Sequence, residues 1–179
     1  GPQEWLRGIA QGTLDAFDKI DLPEWADAMV AQTRTAIGEL DADELGDKLG
    51  QTALSALDAL NAALAQTVKQ LDFLSKTVIE FGGYSSDVIY QITTAMGGMD
   101  GFNSAYSAYV DAFYSEQEKI DLLQRQLTDQ FTALGVAMPT SIEGFRALVD
   151  SLDLNDKASQ ALFASLLQVS PQFARLITA

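Results

Sequence analysis

Cysteine and histidine are both missing from this sequence of 179 residues, and their absence removes several kinds of chemistry at once. Without cysteine there are no disulfides, thiolate metal sites or cysteine nucleophiles. Without histidine there is no Ser-His-Asp triad, and the commonest zinc ligand and the usual proton shuttle near neutral pH are lost. Only carboxylates, hydroxyls and amines remain for chemistry. We therefore predict no catalytic, cofactor-binding or metal-binding residues, and no enzyme activity.

Basic residues are scarce as well. Eleven Lys and Arg stand against 25 Asp and Glu, which gives a formal net charge of -14. Nucleic-acid binding depends on clustered Lys and Arg that contact phosphates. The sequence also lacks a signal peptide and any apolar run of the roughly 18 to 20 residues that a bilayer-spanning helix requires. We therefore expect neither nucleic acid nor a membrane among the partners of this chain.

Proline is rare too, with four residues in a composition that is 47% hydrophobic. This composition predicts an all-α fold. The spacing of the apolar residues and the positions of the helix start and stop signals predict a helical bundle with two long helices at about 43–81 and 100–134 and several short helices. Residues 1–2 resemble the remnant of a cleaved expression tag. The rest divides into an amino-terminal helical segment, 3–83, and a carboxyl-terminal helical segment, 84–179, unless the two form one continuous domain.

Two shorter helices are predicted before the first long one. In the first, Trp5 begins a run of apolar residues at helical spacing. In the second, Asp21 is the expected N-cap, Trp25 opens the buried stripe, and Gly38 ends the helix. We expect Trp5 and Trp25 to anchor these two helices against each other, unless either packs on residues outside this chain.

The second long helix, from Asp100 to Leu134, carries a seven-residue repeat. Such a repeat is typical of a helix that packs against another helix along one seam, and it does not distinguish an intrachain bundle from a self-associating coiled coil. We predict that this seam makes packing or partner contacts. Its members, in two columns, are Phe102, Tyr106, Tyr109, Phe113, Ile120, Leu123, Leu127 and Leu134.

A short helix is expected between the two long ones. Ser85 or Ser86 would cap it, and Gly97-Gly98 would end it and act as a hinge. The stretch "VIYQI" at 88–92 has the β-branched residues of a strand but is flanked by helix signals, so it is also interpreted as helix.

A helix corner is predicted after residue 134. Gly135 is placed to end the long helix in a left-handed conformation, and Pro139 forces a turn. Thr140 followed by Glu143 matches a capping box that starts the next helix. The residues of this corner are Gly135, Pro139, Thr140, Glu143, Phe145 and Leu148.

Two more helices are predicted after the corner. Asp153 or Asn155 would cap the first of them. Ser170 and Pro171 would start a separate short helix at the end of the chain, since proline is favoured at the first helical position.

Acidic residues form two clusters that are interpreted as structural. The first lacks the glycine and terminal glutamate spacing of an EF-hand and suits the positive end of a helix. The second lies in a charged helical segment and is interpreted as a solvated face. The clusters are Asp41, Asp43, Glu44 and Asp47, and Glu116, Glu118 and Asp121.

Five stretches between residues 97 and 176 together resemble a known protein family: "GGMDGF", "FYSEQEK", "LGVAMPTS", "GFRALVDSLDL" and "LFASLLQVSPQFA". They resemble a region toward the carboxyl end of tail tape measure proteins of long-tailed bacteriophages and their prophages, where similar pieces occur in this order. The amino-terminal part is similar to this family only in being helical and rich in Ala and Gln.

The resemblance implies a structural protein of the virion. Tape measure proteins extend inside the tail tube, set its length during assembly and leave ahead of the DNA. Their carboxyl-terminal portion meets distal tail or hub proteins at the tail tip, commonly as a trimer. The implied partners are these proteins and tail assembly chaperones, and the implied location is the phage tail, with the host cytoplasm during assembly. Frequent glycine breaks favour anchoring or assembly initiation for this part.

Two other functions stay open on the sequence alone. One is a helical binding module that captures a host or regulatory protein through an exposed apolar groove. The other is a lytic enzyme that uses carboxylates, which needs two carboxyl groups converging across a cleft.

Overall fold

The computed structural model describes all of residues 1–179 and contains helices and turns but no β-strand. The prediction of an all-α fold is therefore confirmed, and the stretch "VIYQI" is helical. The α-helices are α1 Pro2–Ala16, α2 Glu24–Gly38, α3 Ala42–Leu45, α4 Leu49–Thr77, α5 Ser86–Ala95, α6 Met99–Phe113, α7 Glu116–Leu134, α8 Ile142–Asp150 and α9 Lys157–Thr178. Short 3-10 helices occupy Phe17–Lys19, Gly46–Lys48 and Ile79–Phe81.

The chain forms two compact units. The first unit contains Gly1–Ser75 and Glu80–Ala95, and the second contains Lys76–Ile79 and Met96–Ala179. Helix α5 belongs to the first unit, where it contacts α2. The division expected from the sequence at residue 83 therefore separates two helices that contact each other in the structure.

The first unit has its core among α1, α2 and α4. These helices present small and branched apolar side chains to one another. Full burial of one large apolar side chain stabilises the fold by roughly 1.5 to 3 kcal/mol. The buried members of this core are Ala10, Leu14, Val30, Ile37, Ala53, Leu57 and Leu60.

The two tryptophans have different environments. Trp5 is 68% exposed, whereas Trp25 is 5% exposed. The Trp25 ring stacks on Tyr90 of α5 with 5.8 Å between centroids, and its indole N–H donates to the Ser86 hydroxyl at 3.2 Å. The prediction that the tryptophans anchor α1 and α2 against each other is wrong. Leu14 lies on the buried face of α1, and Trp5 lies about 180° around the helix from it, so Trp5 faces outward.

Helix α2 is capped by a residue distant in sequence. Asp21 was expected as its N-cap, but the N-cap is Pro23, which has no side chain able to accept a hydrogen bond. Instead, the Trp25 backbone N–H donates to Oδ1 of Asp87 at 3.1 Å. The predicted end of this helix at Gly38 is confirmed.

Helix α4 is long but shorter than predicted. It spans 29 residues, whereas the sequence predicted one helix over 43–81. Gly46 has a φ of 52°, which interrupts the helix before Leu49, and after Thr77 the chain continues as a 3-10 helix. The side chain of Asp41 caps the short α3 by accepting from the Asp43 N–H at 2.8 Å, so this part of the acidic cluster has a structural use.

The second predicted long helix, over 100–134, is wrong as a single element. It is interrupted between Phe113 and Glu116, where Tyr114 is extended. The Ser115 hydroxyl accepts from the Glu118 N–H at 3.2 Å, and the Glu118 carboxylate accepts from the Ser115 N–H at 3.0 Å. This reciprocal capping box satisfies two donors at a helix start and therefore begins a new helix.

The second unit has a core of aromatic and aliphatic side chains from α7, α8 and α9. Phe145 and Phe173 approach to 4.8 Å between ring centroids, and each lies 6.4 Å from Phe131. One phenylalanine thus comes from each helix, so the three helices share one contact point. The buried members of this core are Leu127, Phe131, Phe145, Leu166 and Phe173.

The corner between α7 and α8 has the predicted left-handed glycine. Gly135 has a φ of 72°, its N–H donates to the Thr132 carbonyl at 3.1 Å, and the Val136 N–H donates to the Phe131 carbonyl at 3.3 Å. This pair of bonds is a Schellman motif, which satisfies carbonyls at the end of α7. The prediction for Gly135 is confirmed.

The predicted cap of α8 is wrong by one residue. Ser141, not Thr140, is the N-cap, and its hydroxyl accepts from the Gly144 N–H at 3.0 Å. Glu143 is then the second residue of the helix, so the predicted capping box with Thr140 does not form. Of the two apolar residues of the predicted corner, Phe145 is buried, whereas Leu148 is only half-buried.

Replacing the two candidate caps separately gives a direct test. Ser141→Ala is expected to lower the free energy of unfolding by about 1 kcal/mol, because it removes the acceptor of the Gly144 N–H. Thr140→Ala is the matched control and is expected to change it by less than about 0.5 kcal/mol, because Thr140 is exposed. Urea denaturation followed by circular dichroism measures both. A larger loss for Thr140→Ala would contradict the observed cap.

Helix α9 differs from its prediction at both ends. Its N-cap is Asp156, which accepts from the Ser159 N–H at 3.2 Å, rather than Asp153 or Asn155. Pro171 lies inside the helix instead of starting a new one. Proline cannot donate to the carbonyl four residues earlier, that of Leu167. The Ser170 hydroxyl donates to that carbonyl at 2.8 Å, which replaces the missing bond and lets the helix continue.

Candidate interaction surface

Four aromatic side chains of the predicted seam form a row along α6. Phe102, Tyr106, Tyr109 and Phe113 are spaced by three or four residues, which places them on one face of the helix. Their successive ring centroids are 5.5, 6.1 and 5.3 Å apart. These distances are within the range of attractive aromatic contacts. We call these four residues the aromatic row.

Burial decreases along the aromatic row from its amino-terminal to its carboxyl-terminal end. Phe102 is 4% exposed and Tyr106 is half-buried, whereas Tyr109 is 44% and Phe113 76% exposed. One end of the row therefore belongs to the interior of the protein and the other end is accessible. Large exposed apolar patches of this kind are typical of contact surfaces.

The other seam residues lie on α7 and are distributed differently. Leu127 is buried, whereas Ile120, Leu123 and Leu134 are half-buried. The structure does not bring all eight seam residues into one line, because the chain breaks at Ser115 and α7 starts with a new helical phase. The buried side chains that the repeat missed are Val110, Leu122 and Phe131.

A groove lies beside the exposed end of the aromatic row. It has a volume of about 530 Å³ and an apolar floor to which Tyr109, Phe113 and Ile79 contribute. Tyr109 contacts Tyr114 edge to face, with 5.9 Å between centroids. The residues that line this aromatic groove are Ile79, Tyr109, Phe113, Tyr114, Glu118, Asp121, Leu122 and Arg125.

Two carboxylates lie at the aromatic groove without a cationic partner. Glu118 accepts the Ser115 N–H within the capping box, and Asp121 accepts from the Gln117 side-chain amide at 2.9 Å. Neither carboxylate forms an ion pair. The one cation of the groove, Arg125, donates to the Lys76 carbonyl at 2.6 Å. Carboxylates therefore outnumber cations at this surface.

A second cavity of about 150 Å³ lies between α6, α7 and the end of α9, and it is polar. Lys119 contributes to it and is paired with Glu116 at 3.3 Å and with Asp111 at 4.0 Å. Because two carboxylates already face this ammonium group, Lys119 adds little net charge to the cavity, whose other cation is Arg175.

The carboxylates of the second unit were compared with the arrangement that a metal site requires. No group of three or more Asp and Glu side chains is arranged to hold a metal ion. Glu116, Glu118 and Asp121 lie exposed on the first two turns of α7.

No helix combines the length and the apolar character that a membrane span requires. The surface that stands out is therefore the aromatic groove, whose chemistry is apolar contact beside negative charge.

Nothing in the sequence indicated that Ile79 and Arg125 would line the same groove as Phe113. Ile79 follows the end of α4, and Arg125 lies on α7, far apart in sequence from each other and from Phe113. A signal for the break that shapes the groove was present, since Ser115 and Glu118 have the spacing of a capping box.

Comparison of the chain with family models, with curated proteins and with solved structures gave no match.

Proposed function

We propose that this chain is a structural component of a long-tailed phage tail: a region of a tape measure protein that acts in tail assembly, length determination and tail-tip anchoring, and is ejected ahead of the DNA. One observation carries the proposal. The region that resembles this family, residues 97–176, coincides closely with the larger segment of the second unit, Met96–Ala179. A segment with its own core has the character of a module that a longer protein uses as a unit.

The short stretches behind the resemblance also have structural uses. "GGMDGF" contains Gly97 and Gly98, whose φ values of 88° and 93° join α5 to α6, and "FYSEQEK" contains the capping box of α7. "LGVAMPTS" contains the left-handed Gly135. The last two stretches contribute Phe145 and Phe173 to the core. The proposal is supported because the fold depends on the same residues on which the resemblance rests.

Under this proposal the partners are distal tail or hub proteins at the tail tip and tail assembly chaperones, and three copies associate in the virion. The chain resides inside the phage tail, after assembly in the host cytoplasm. The net charge of -14 supports this role, since an acidic component does not retain the DNA that follows it through the tube.

Immunogold electron microscopy with antibodies raised against this chain tests the proposal. Purified virions from the source phage or prophage are expected to label at the tail tip once the tail is opened, and mass spectrometry of the same virions is expected to detect the chain. Antibody adsorbed with the pure chain is the control. Absence of the chain from purified virions would contradict the proposal.

The exposed aromatic groove favours a second candidate, a helical module that captures a host or regulatory protein. Affinity capture from infected cells separates the two candidates. Recovery of tail-tip proteins is expected under the first, and recovery of a single host protein under the second.

A further inference from the structure

We infer that the aromatic groove is the docking surface for an amphipathic helix of a partner protein, one that presents large apolar side chains flanked by Lys or Arg. This inference rests on the proposed function in one respect, that the chain acts through protein contacts. It adds the location of the contact and the chemistry of the partner.

Three exposed apolar side chains make the aromatic groove suitable for an apolar partner. Phe113 is 76%, Ile79 52% and Tyr109 44% exposed, and all three line the same groove. Rigid aromatic side chains at the surface lose little conformational entropy when they are covered, and they contribute strongly to protein interfaces. A groove of about 530 Å³ has room for more than one large side chain. A helix provides such side chains at three- and four-residue spacing along one face.

The negative charge beside the aromatic groove favours a basic amphipathic helix over an acidic one. Glu118 and Asp121 lie beside the aromatic floor without an ion pair. A partner that brings a carboxylate to this position meets repulsion, whereas one that brings Lys or Arg gains an ion pair at the edge of the contact. An Arg side chain can also stack on the rings of Tyr109 and Phe113.

The same charges argue against a second copy of this chain as the occupant. The chain has 25 acidic and 11 basic residues, so another of its own surfaces seldom supplies the cations that this groove selects, and the three copies of the proposed function associate through other contacts. Arg125, the one cation of the groove, is engaged by the Lys76 carbonyl. A partner helix with the opposite charge is therefore the better match.

Two synthetic helical peptides of about 18 residues test the inference. Both carry the same Leu and Phe face on an Ala-rich helix, and the positions beside that face are Lys in one peptide and Glu in the other. Each is titrated into the isotope-labelled 179-residue chain, with binding followed by NMR. The Lys peptide is expected to bind at least about tenfold more tightly and to shift the signals of Ile79, Tyr109 and Phe113.

A first pair of protein variants tests whether the carboxylates of the groove contribute to peptide binding while the fold is kept. The double variant Glu118→Gln/Asp121→Asn keeps the hydrogen-bond acceptors, so the capping box persists, and it is expected to weaken the Lys peptide about tenfold. Glu143→Gln/Asp150→Asn removes two exposed carboxylates of α8 as the matched control and is expected to change binding by less than about twofold.

A second pair of variants tests whether the exposed aromatic side chains of the groove contribute to peptide binding. Phe113→Ala is expected to weaken the Lys peptide about tenfold, and Trp5→Ala, which truncates another exposed aromatic side chain, is expected to leave it unchanged. Circular dichroism checks that all variants remain folded. An equal effect of either variant and its control would overturn the inference, as would equal binding of both peptides. Self-association of the chain that Phe113→Ala abolishes would assign the groove to a second copy instead.

Failure of the docking inference can be distinguished from failure of the proposed tail function. Virions that contain the chain, combined with a groove that does not select the Lys peptide, would overturn only this inference. Selective peptide binding by a chain that is absent from virions would overturn only the tail role.

Discussion

Phe173→Ala is expected to lower the free energy of unfolding by about 3 to 5 kcal/mol, the largest loss among the substitutions considered for this chain. Phe173 is 1% exposed and contacts Phe145 at 4.8 Å and Phe131 at 6.4 Å between ring centroids. These rings come from α9, α8 and α7, so truncation removes the contact that all three helices share. The loss is comparable to the whole stability of many small domains, and partial unfolding of the second unit is expected.

The matched control is Phe113→Ala, which removes the same atoms from a side chain that is 76% exposed. Its free energy of unfolding is expected to stay within about 0.5 kcal/mol of the unsubstituted chain. Urea denaturation measures both variants, and hydrogen exchange shows whether protection is lost in α7, α8 and α9. Similar losses in the two variants would mean that Phe173 does not hold the core together.

The helical nature of the chain was predictable because it depends on local periodicity, but the break inside the second long helix was not predicted. Tyr106, Phe113 and Ile120 are seven residues apart and suggest one uninterrupted seam. The chain breaks between the last two of them, because Ser115 and Glu118 cap a new helix. Apolar spacing can continue across a break by coincidence, so the polar capping pair was the more reliable signal.

Helix starts were predicted near the correct position where several polar residues stand together: the cap of α8 was placed one residue early, and that of α9 one or three residues early. Thr140 and Ser141 are both good N-caps, as are Asn155 and Asp156. The helices that follow these starts carry Phe145 and Leu166 into one core, so the choice between neighbouring caps also depends on the packing of all three helices. Local preference alone does not contain this information.

The prediction for Pro171 was wrong for the same reason, because it used local preference without tertiary packing. Its local preference for a helix start predicted a new helix, whereas α9 continues through it. Two features favour continuity: the Ser170 hydroxyl supplies the Leu167 carbonyl with a donor, and the unbroken helix holds both Leu166 and Phe173 in the core. The burial of two large side chains outweighs the local cost of the proline.

The partners of the tryptophans were the least predictable feature. Trp25 depends on Ser86, Asp87 and Tyr90, which follow it by more than sixty positions. Trp5 is exposed because its helix turns Ala10 and Leu14 inward. A contact between distant segments leaves no periodic trace in one sequence, and this also applies to the aromatic groove, where Ile79 joins residues of α6 and α7.

Gly101→Ala is expected to destabilise the chain by about 2 to 4 kcal/mol, although alanine is ordinarily the better helix former. Gly101 lies in the first turn of α6, where an added methyl group would overlap the backbone carbonyl of Met96. The positive φ values of Gly97 and Gly98 turn the chain so that this carbonyl faces the start of the helix. A backbone obstacle cannot move aside as a flexible side chain can, so the start of α6 has to shift.

Gly12→Ala is the matched control, since Gly12 lies inside α1 with open space around its α-carbon. It is expected to stabilise the chain by about 0.5 to 1 kcal/mol, so the two substitutions should have opposite signs in the same thermal unfolding experiment. Because α6 carries Tyr109 and Phe113, the shift caused by Gly101→Ala should also weaken binding of the Lys peptide, whereas Gly12→Ala should not. A stabilising effect of Gly101→Ala would show that the chain approaches α6 by another path.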